Sequence, residues 1–326
     1  MGLMVPVADP AMPWLDAALD PIGAGPRIAG AIARHRRIPI GASLTRATLL
    51  RHKPGRRAVI EYRLTTPGSA WSLVALGKIR ARGLDDRTPA WQRQAATRVA
   101  VPPVLGTVPE FRLWLQERVP GVGGFPALTG PESPTAARRI GAALAAFHRD
   151  APATDRVHGP AAESAILTTR LTAMADRVPA WRSRAERLLD RLRAVVDALP
   201  AEPRCTIHRD CYPDQVLIHG DRVTLVDLDL HALGDPALDL GNFIAHLVEF
   251  AIRQGEDGAR FDTPHPLAAD LLDGYAAAGG LVDPDAVDAY LTLSLARLVA
   301  LSTELPGRAG TTERLGALVE RRLAVQ

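Results

Sequence analysis

The run 207-IHRDCYPDQVLIHGDRVTLVDLDLHALGDPALDLGNF-243 holds the densest set of chemically useful side chains in the sequence. Two apolar, β-rich stretches, 215-QVLIH-219 and 222-RVTLVD-227, flank Gly220-Asp221, which is a hairpin signal. Each strand covers about five residues at roughly 3.3 Å per residue, so the chain goes out and returns over similar lengths. The loop before the first strand and the end of the second therefore meet, and Asp210, Gln215 and Asp227 fall side by side. Two carboxylates and an amide oxygen suit a hard cation such as Mg²⁺, which prefers oxygen ligands and commonly takes one or two carboxylates plus substrate phosphates. Asp210, in the irregular loop, has a second option: it could orient a hydroxyl nucleophile and accept its proton.

A scaffold for these residues is legible on both sides. Residues 11–36 predict one or two short helices. Three successive strands are expected at 47-ATLLRHK-53, 58-AVIEYRL-64 and 71-WSLVALGKI-79, the first two joined by a tight turn at Pro54-Gly55. A short helix near 89–99 and a strand at 111-FRLWLQERV-119 follow, and 120-PGVGGFPALTGPESP-134 reads as a linker. Beyond it the texture turns helical. Ser133 is a candidate N-cap with Pro134 at the first helical position, and Ile140, Leu144 and Phe147 recur at the spacing of one buried face. Helices also fit 163–177, 180–198, 237–253, 266–278, 285–303 and 311–324. This order predicts an α+β chain of two lobes. A β-rich lobe spans 1–118, with a helical lead-in to about 40 and then an antiparallel sheet; a larger α-helical lobe spans 119–326.

The 326 residues are 47% apolar and 23% charged, an ordinary globular composition. Cys205 and Cys211 are the only cysteines, too few for a disulfide framework or a zinc site of the usual spacing. A reducing compartment, the cytoplasm, fits best. The opening residues carry Asp9, Asp16 and Asp20 instead of a basic leader, and Pro6 stands where N-myristoylation at Gly2 wants Ser or Thr. The best apolar run, 289-AYLTLSLARLVALS-302, is short and broken by Arg297, so no membrane partner is expected. The net charge of +3 hides an asymmetry. Residues 1–82 hold about thirteen Lys/Arg against four acids, and residues 227–290 about thirteen acids against Arg253 and Arg260. Aromatic residues do not interleave the basic stretch, which argues against nucleic acid.

His208-Arg209-Asp210, with Gln215 five residues later and Asp227 seventeen after Asp210, resembles the catalytic signature of the aminoglycoside phosphotransferase and choline kinase group. Gly234-Asp235-Pro236 and Asp239-Leu240 continue the pattern. The resemblance implies a protein-kinase-like fold and a small-molecule kinase that moves the γ-phosphate of ATP or GTP onto a hydroxyl. It implies Asp210 as the catalytic base, Gln215 and Asp227 as Mg²⁺ ligands, and Asp239 as a residue pinning a helix start. Lys78 would contact the α- and β-phosphates. Gly55 and Arg56 lie in the turn 54-PGRR-57, where the group folds a loop over the phosphates and a glycine lets backbone N–H groups approach. In 113-LWLQERVPG-121, backbone groups of Glu117 and Val119 would meet the adenine, with Leu115 and Gln116 lining the inner wall. The acids Glu249, Glu256, Asp257, Asp262, Asp270 and Asp273 would wall the acceptor pocket. Such a wall favours a cationic acceptor such as an aminoglycoside, an amino sugar or a choline-like alcohol. A solvated acidic face accounts for the same residues equally well.

Three features depart from the group. Gln215 stands where Asn is usual, lengthening the ligand by one methylene. The glutamate expected to pair with Lys78 is missing, and Gln94 sits near its spacing. A second His-Arg-Asp, at His148-Arg149-Asp150, ends an amphipathic helix with no hairpin after it and reads as structural. Two other functions stay open. The first two departures favour a pseudokinase-like regulatory module that binds nucleotide. A metal-dependent glycosyltransferase would read Asp227-Leu228-Asp229 as an Asp-x-Asp motif, but it wants a parallel sheet upstream, where the strands read as a meander.

Overall fold

The computed structural model describes residues 9–200 and 204–325; the readings at Gly2 and Pro6 lie outside them. The chain divides into two compact units, one up to Pro120 and one from Gly121. The first contains α1 (Leu15–Leu19), α2 (Pro21–Ala33), β1 (Ser43–Lys53), β2 (Arg57–Thr65), β3 (Ser72–Arg80), α3 (Arg87–Ala95), β4 (Val104–Val108) and β5 (Leu113–Glu117). Its five strands form one sheet in the order β1-β2-β3-β5-β4, antiparallel at every pairing. The glycosyltransferase reading needed a parallel sheet here.

Period-two alternation along β3 sorts its residues onto two faces. Leu73, Ala75 and Ile79 are buried with Leu15, Leu19, Ile28 and Ile32 of the two leading helices. Lys78 belongs to the alternate set, on the face away from those helices. Gly77 lies on the buried face, where a Cβ would come within 2.6 Å of both Leu113 and Tyr62. The lead-in expected over the first forty residues is therefore half of a core. Asp20 starts α2, accepting from the N–H groups of Ile22 and Gly23 ahead of Pro21. Strand β4 was not anticipated. Pro102-Pro103 and Gly106 hide it as loop texture, yet Gly106 is where a Cβ would meet the Ala31 carbonyl at 2.7 Å.

The second unit contains β6 (Val122–Gly123), α4 (Gly124–Ala127), α5 (Ser133–Asp150), α6 (Pro160–Arg177), α7 (Arg182–Asp197), β7 (Cys205–Ile207), β8 (Val216–His219), β9 (Arg222–Leu225), β10 (Ala232–Gly234), α8 (Pro236–Arg253), α9 (Pro266–Ala277), α10 (Pro284–Ser302) and α11 (Ala309–Val325). The expected hairpin forms: β8 and β9 pair from Val216↔Leu225 to His219↔Arg222 around Gly220 and Asp221, with Gly220 at φ 58°. Two details differ. The stretch read as a linker supplies β6, which pairs with β8, and α4. Ser133 is the first residue of α5 and makes no side-chain cap. No helix among the described residues is long and apolar enough to cross a membrane. The α+β class with an antiparallel sheet and a larger helical part is as expected, and the sheet has one strand, β4, more than the sequence indicated.

Helices α5 and α9 approach closely through two glycines. A Cβ at Gly141 would come within 2.0 Å of the Leu271 carbonyl oxygen, and one at Gly274 within 2.0 Å of the Arg138 carbonyl oxygen. This contact brings His148 of α5 to the hydroxyl of Tyr275 on α9, 3.0 Å away. Gly274→Ala should lower stability by about 1–3 kcal/mol, because overpacking against backbone cannot relax by rotamer change. Gly30→Ala, where the nearest atom is 4.0 Å off at the end of Arg34, should be neutral or raise stability by up to about 1 kcal/mol. Urea midpoints of the two variants check the contrast.

Candidate active site

The loop after β7 carries His208, Arg209 and Asp210, and it is held by its backbone. The Asp239 carboxylate, wholly buried in the first turn of α8, accepts from the N–H of His208 at 2.6 Å and of Arg209 at 2.7 Å. It also takes Nε2–H of His148 at 3.0 Å; a carboxylate can only accept, so that nitrogen carries the proton. Tyr275 completes the chain at His148 Nδ1. Asp239 was expected to pin a helix start. Asp235 does that, accepting from the N–H of Ala237, and Asp239 fixes the loop of His208, Arg209 and Asp210 instead. His148, set aside as part of a repeated tripeptide, is a support for that loop.

Further on, the buried amide of Asn242 donates to the Cys211 carbonyl at 2.7 Å. Arg297 of α10 donates to the other end of the same amide at 2.5 Å. A 3-10 turn at Pro213–Gln215 then delivers Gln215. Gly124 lies against this turn, where a Cβ would meet the Pro213 carbonyl at 2.5 Å. The Gln215 carbonyl accepts from Val226 N–H at 2.9 Å, and His208 Nε2–H donates to the Val226 carbonyl at 2.8 Å. Val226 therefore ties the loop of Asp210, the turn of Gln215 and the start of Asp227 into one knot. Asp227 and Arg209 are left-handed, at φ 61° and 71°, conformations that non-glycine residues adopt mostly at constrained sites.

The electrostatics follow from burial. Loss of solvent pushes the Asp210 carboxyl above its ordinary range, and the nearby Asp227 charge adds to this; Arg297, His208 and Arg209 oppose it. The Tyr212 phenol, hydrogen-bonded to the Gln215 side chain, is also raised, by burial first and then by Asp210. Among the described residues no three His, Cys, Asp or Glu side chains converge on a metal position. A cation would take the Asp227 carboxylate and the Gln215 amide oxygen, with further oxygens from substrate or water. Those are hard donors, and they fit Mg²⁺ better than a soft ion.

In the first unit the nucleotide contacts expected from sequence have specific partners. Lys78 Nζ sits 5.2 Å from the centre of the Trp114 ring. Gln94 points outward, and it is Gln92 that is buried, bonding the Pro102 carbonyl at 2.8 Å and Gln116 Oε1 at 3.3 Å. The tight turn has already used its N–H groups: Gly55 donates to the Asp9 carboxylate at 2.9 Å and Arg56 to the Lys53 carbonyl at 3.0 Å. The backbone cradle expected there is closed by the chain's own anion, leaving the exposed Arg56 side chain. Glu117 N–H goes to the Pro103 carbonyl, its carboxylate to Arg36 at 2.5 Å, and Val119 follows the strand, half-buried. Leu115 belongs to the apolar core.

The acids read as an acceptor wall are engaged within the second unit. Glu249 meets Arg308 at 3.0 Å and Arg253 at 3.3 Å, Glu256 meets Arg260 and Asp262 meets Arg321. Asp270 and Asp273 share Arg138, and Asp257 caps a 3-10 turn. Asp239→Ala should cost about 3–5 kcal/mol, since it strands two buried N–H donors and a histidine. A denaturation midpoint reads this directly, and a loss under 1 kcal/mol would mean that the loop does not depend on Asp239.

No curated protein sequence matches the chain. Among solved structures, a choline/ethanolamine kinase family protein from Mesorhizobium loti superposes with TM-score 0.56 at 19% identity, covering 81% of this chain and 88% of its own. A spectinomycin phosphotransferase in complex with ADP and spectinomycin gives 0.54 at 14%, covering 86% and 90%. An amicoumacin kinase bound to AMP-PNP and Ca²⁺ gives 0.63 at 14%, covering 98% and 94%. At these identities the likeness is one of fold. The family itself is shown by sequence: the pattern of the phosphotransferase enzyme family matches residues 38–290, a span that holds both Lys78 and the whole knot around Val226. The chain belongs to the phosphotransferase enzyme family.

Proposed function

We propose that this enzyme transfers the γ-phosphate of ATP, or of GTP, to the hydroxyl of a small-molecule acceptor, with Asp210 as the base. The observation that carries this reading is the knot at Val226, which holds Asp210, Gln215 and Asp227 on one rigid piece of backbone. In the reaction Asp210 accepts the acceptor's hydroxyl proton while that oxygen forms a bond to the γ-phosphorus and the bond to the leaving nucleoside diphosphate breaks. Asp227 and Gln215 would hold Mg²⁺, which when bound neutralises charge on the phosphate oxygens. Lys78 gives the α- and β-phosphates a positive partner, and Arg56 supplies a second cation from the turn. Glu117 and Val119 offer backbone groups to the base, Glu117 through its carbonyl, since its N–H is taken. The named relatives act on spectinomycin, on amicoumacin and in the choline/ethanolamine class. A cationic acceptor of the aminoglycoside, amino sugar or choline-like type was the expectation here, and the pairing of the acidic residues removes its main support.

Asp210→Asn should leave the melting temperature and ATP affinity near wild type while turnover of an acceptor falls by about 10²–10⁴-fold. A drop under tenfold would take the base role from Asp210. Asp227→Asn keeps the backbone conformation and removes the charge, so calorimetric titration should show ATP binding that no longer depends on Mg²⁺. Asp210 also sets a pH profile. Only its ionised form accepts a proton, so kcat/KM should fall as pH drops through its raised pKa, above the usual carboxylate range. Arg297→Gln removes a charge that lowers this pKa, and the acid limb should move to higher pH. An unmoved limb would mean that another group titrates.

A further inference from the structure

One face of α8 carries Asn242, His246, Phe250 and Arg253, at steps of four, four and three residues, the repeat of a single helix face. Asn242 is buried and grips the catalytic loop. The next three retain exposure, and each meets a planar group. His246 stacks on Tyr212 with ring centres 4.5 Å apart and planes within 19°. Phe250 stacks on Phe125 of α4 at 4.6 Å, and the Arg253 guanidinium lies over the Phe250 ring at 5.0 Å. Tyr212 is two residues past Asp210, so this stripe begins beside the candidate base and runs away along the helix. At about 1.5 Å per residue, His246 to Arg253 spans roughly 10 Å, the length of one or two sugar rings.

The chemistry of the stripe is one-sided. Burial, reinforced by Arg297 and Arg253, holds the His246 imidazole down at about 3, so it is neutral at ordinary pH. The charge left on the exposed part is the Arg253 guanidinium, which shares Glu249 with Arg308. Phe250 already has the chain's own cation over its face, and an incoming ammonium would meet a like charge where a cation–π contact would otherwise form. Phe250 is already stacked on Phe125 and covered by Arg253, so what the stripe offers is the part-exposed remainder of the Tyr212, His246 and Phe250 rings for C–H groups and a planar set of N–H donors for oxygens.

We propose, on the reading of Asp210 as the base of a kinase, that the acceptor is a neutral or anionic sugar-like alcohol lying along Tyr212, His246, Phe250 and Arg253. Its ring packs against the aromatic groups, its oxygens face the guanidinium, and one hydroxyl reaches Asp210.

The test uses the full chain with Mg²⁺ and ATP and four probes: phenyl β-glucoside (neutral), glucuronate (anionic), kanamycin (a polycationic sugar) and choline (a small cation). Product is read by mass. The expected result is a kcat/KM for phenyl β-glucoside or glucuronate at least about tenfold above either cation. Phe250→Leu should then raise KM for the preferred probe about threefold to tenfold. Arg253→Glu should shift the glucuronate-to-kanamycin ratio toward kanamycin by about tenfold. Preference for kanamycin or choline overturns the inference, and so does a ratio that Arg253→Glu leaves unmoved in a variant whose circular dichroism melt is native. Phosphorylation of none of the four also overturns it. The kinase reading is judged apart, by Mg²⁺-dependent ATP binding in the same preparation: binding retained leaves that reading standing, and binding absent removes both.

Discussion

A carboxylate with no access to water must satisfy its charge inside the protein, and Asp239 does so with two backbone N–H groups and one imidazole. Hydrogen bonds to an ionised acceptor are short and strong when solvent is excluded. Here they fix the Ile207–His208 and His208–Arg209 peptide planes, on either side of the His208 Cα. With His208 held on both sides, the left-handed Arg209 follows directly, and Asp210 comes next in the chain. The neighbouring helices contribute through the same anion. Helix α8 supplies it, α5 brings His148 to it, and the close approach of α9 allows Tyr275 to hold that histidine.

The loop so fixed lies among opposed charges. Burial and the nearby Asp227 charge raise the cost of ionising Asp210, while Arg297, His208 and Arg209 lower it. Arg297 is itself tied to Asn242 and lies 3.7 Å from Glu163, so its guanidinium cannot swing onto the Asp210 carboxylate without giving up those contacts. The balance leaves Asp210 more basic than a surface aspartate, which suits an acceptor of protons, and leaves the pair short of positive charge, which suits a cation.

The sequence shows what is local in it. Asp210, Gln215 and Asp227 lie within seventeen residues of chain, and Gly220-Asp221 is enough to predict that the hairpin returns the last to the first. The α+β order and most helices were legible from periodicity for the same reason. Long-range partners were not. His148 and Asp239 are 91 positions apart, and nothing in the tripeptide around His148 tells which buried acid it will meet. Arg297 looked like a defect in an apolar run, because a helix pattern gives its face and not what that face opposes. Gln94, which sits near the spacing of the missing glutamate, is exposed, while α3 buries Trp91, Gln92 and Ala95; two positions along a helix turn a side chain through more than half a turn.

The left-handed backbone at Asp227 gives that position two independent requirements. Aspartate, asparagine and glycine accept such a φ far more readily than alanine or β-branched residues. Related chains can therefore be sorted by what stands there. One with Asn or Gly has kept the turn and surrendered the charge, so its loop can persist as a nucleotide sensor without turnover. One with Ala or Val has lost the turn as well, and the knot at Val226 would have to be rebuilt before chemistry could return.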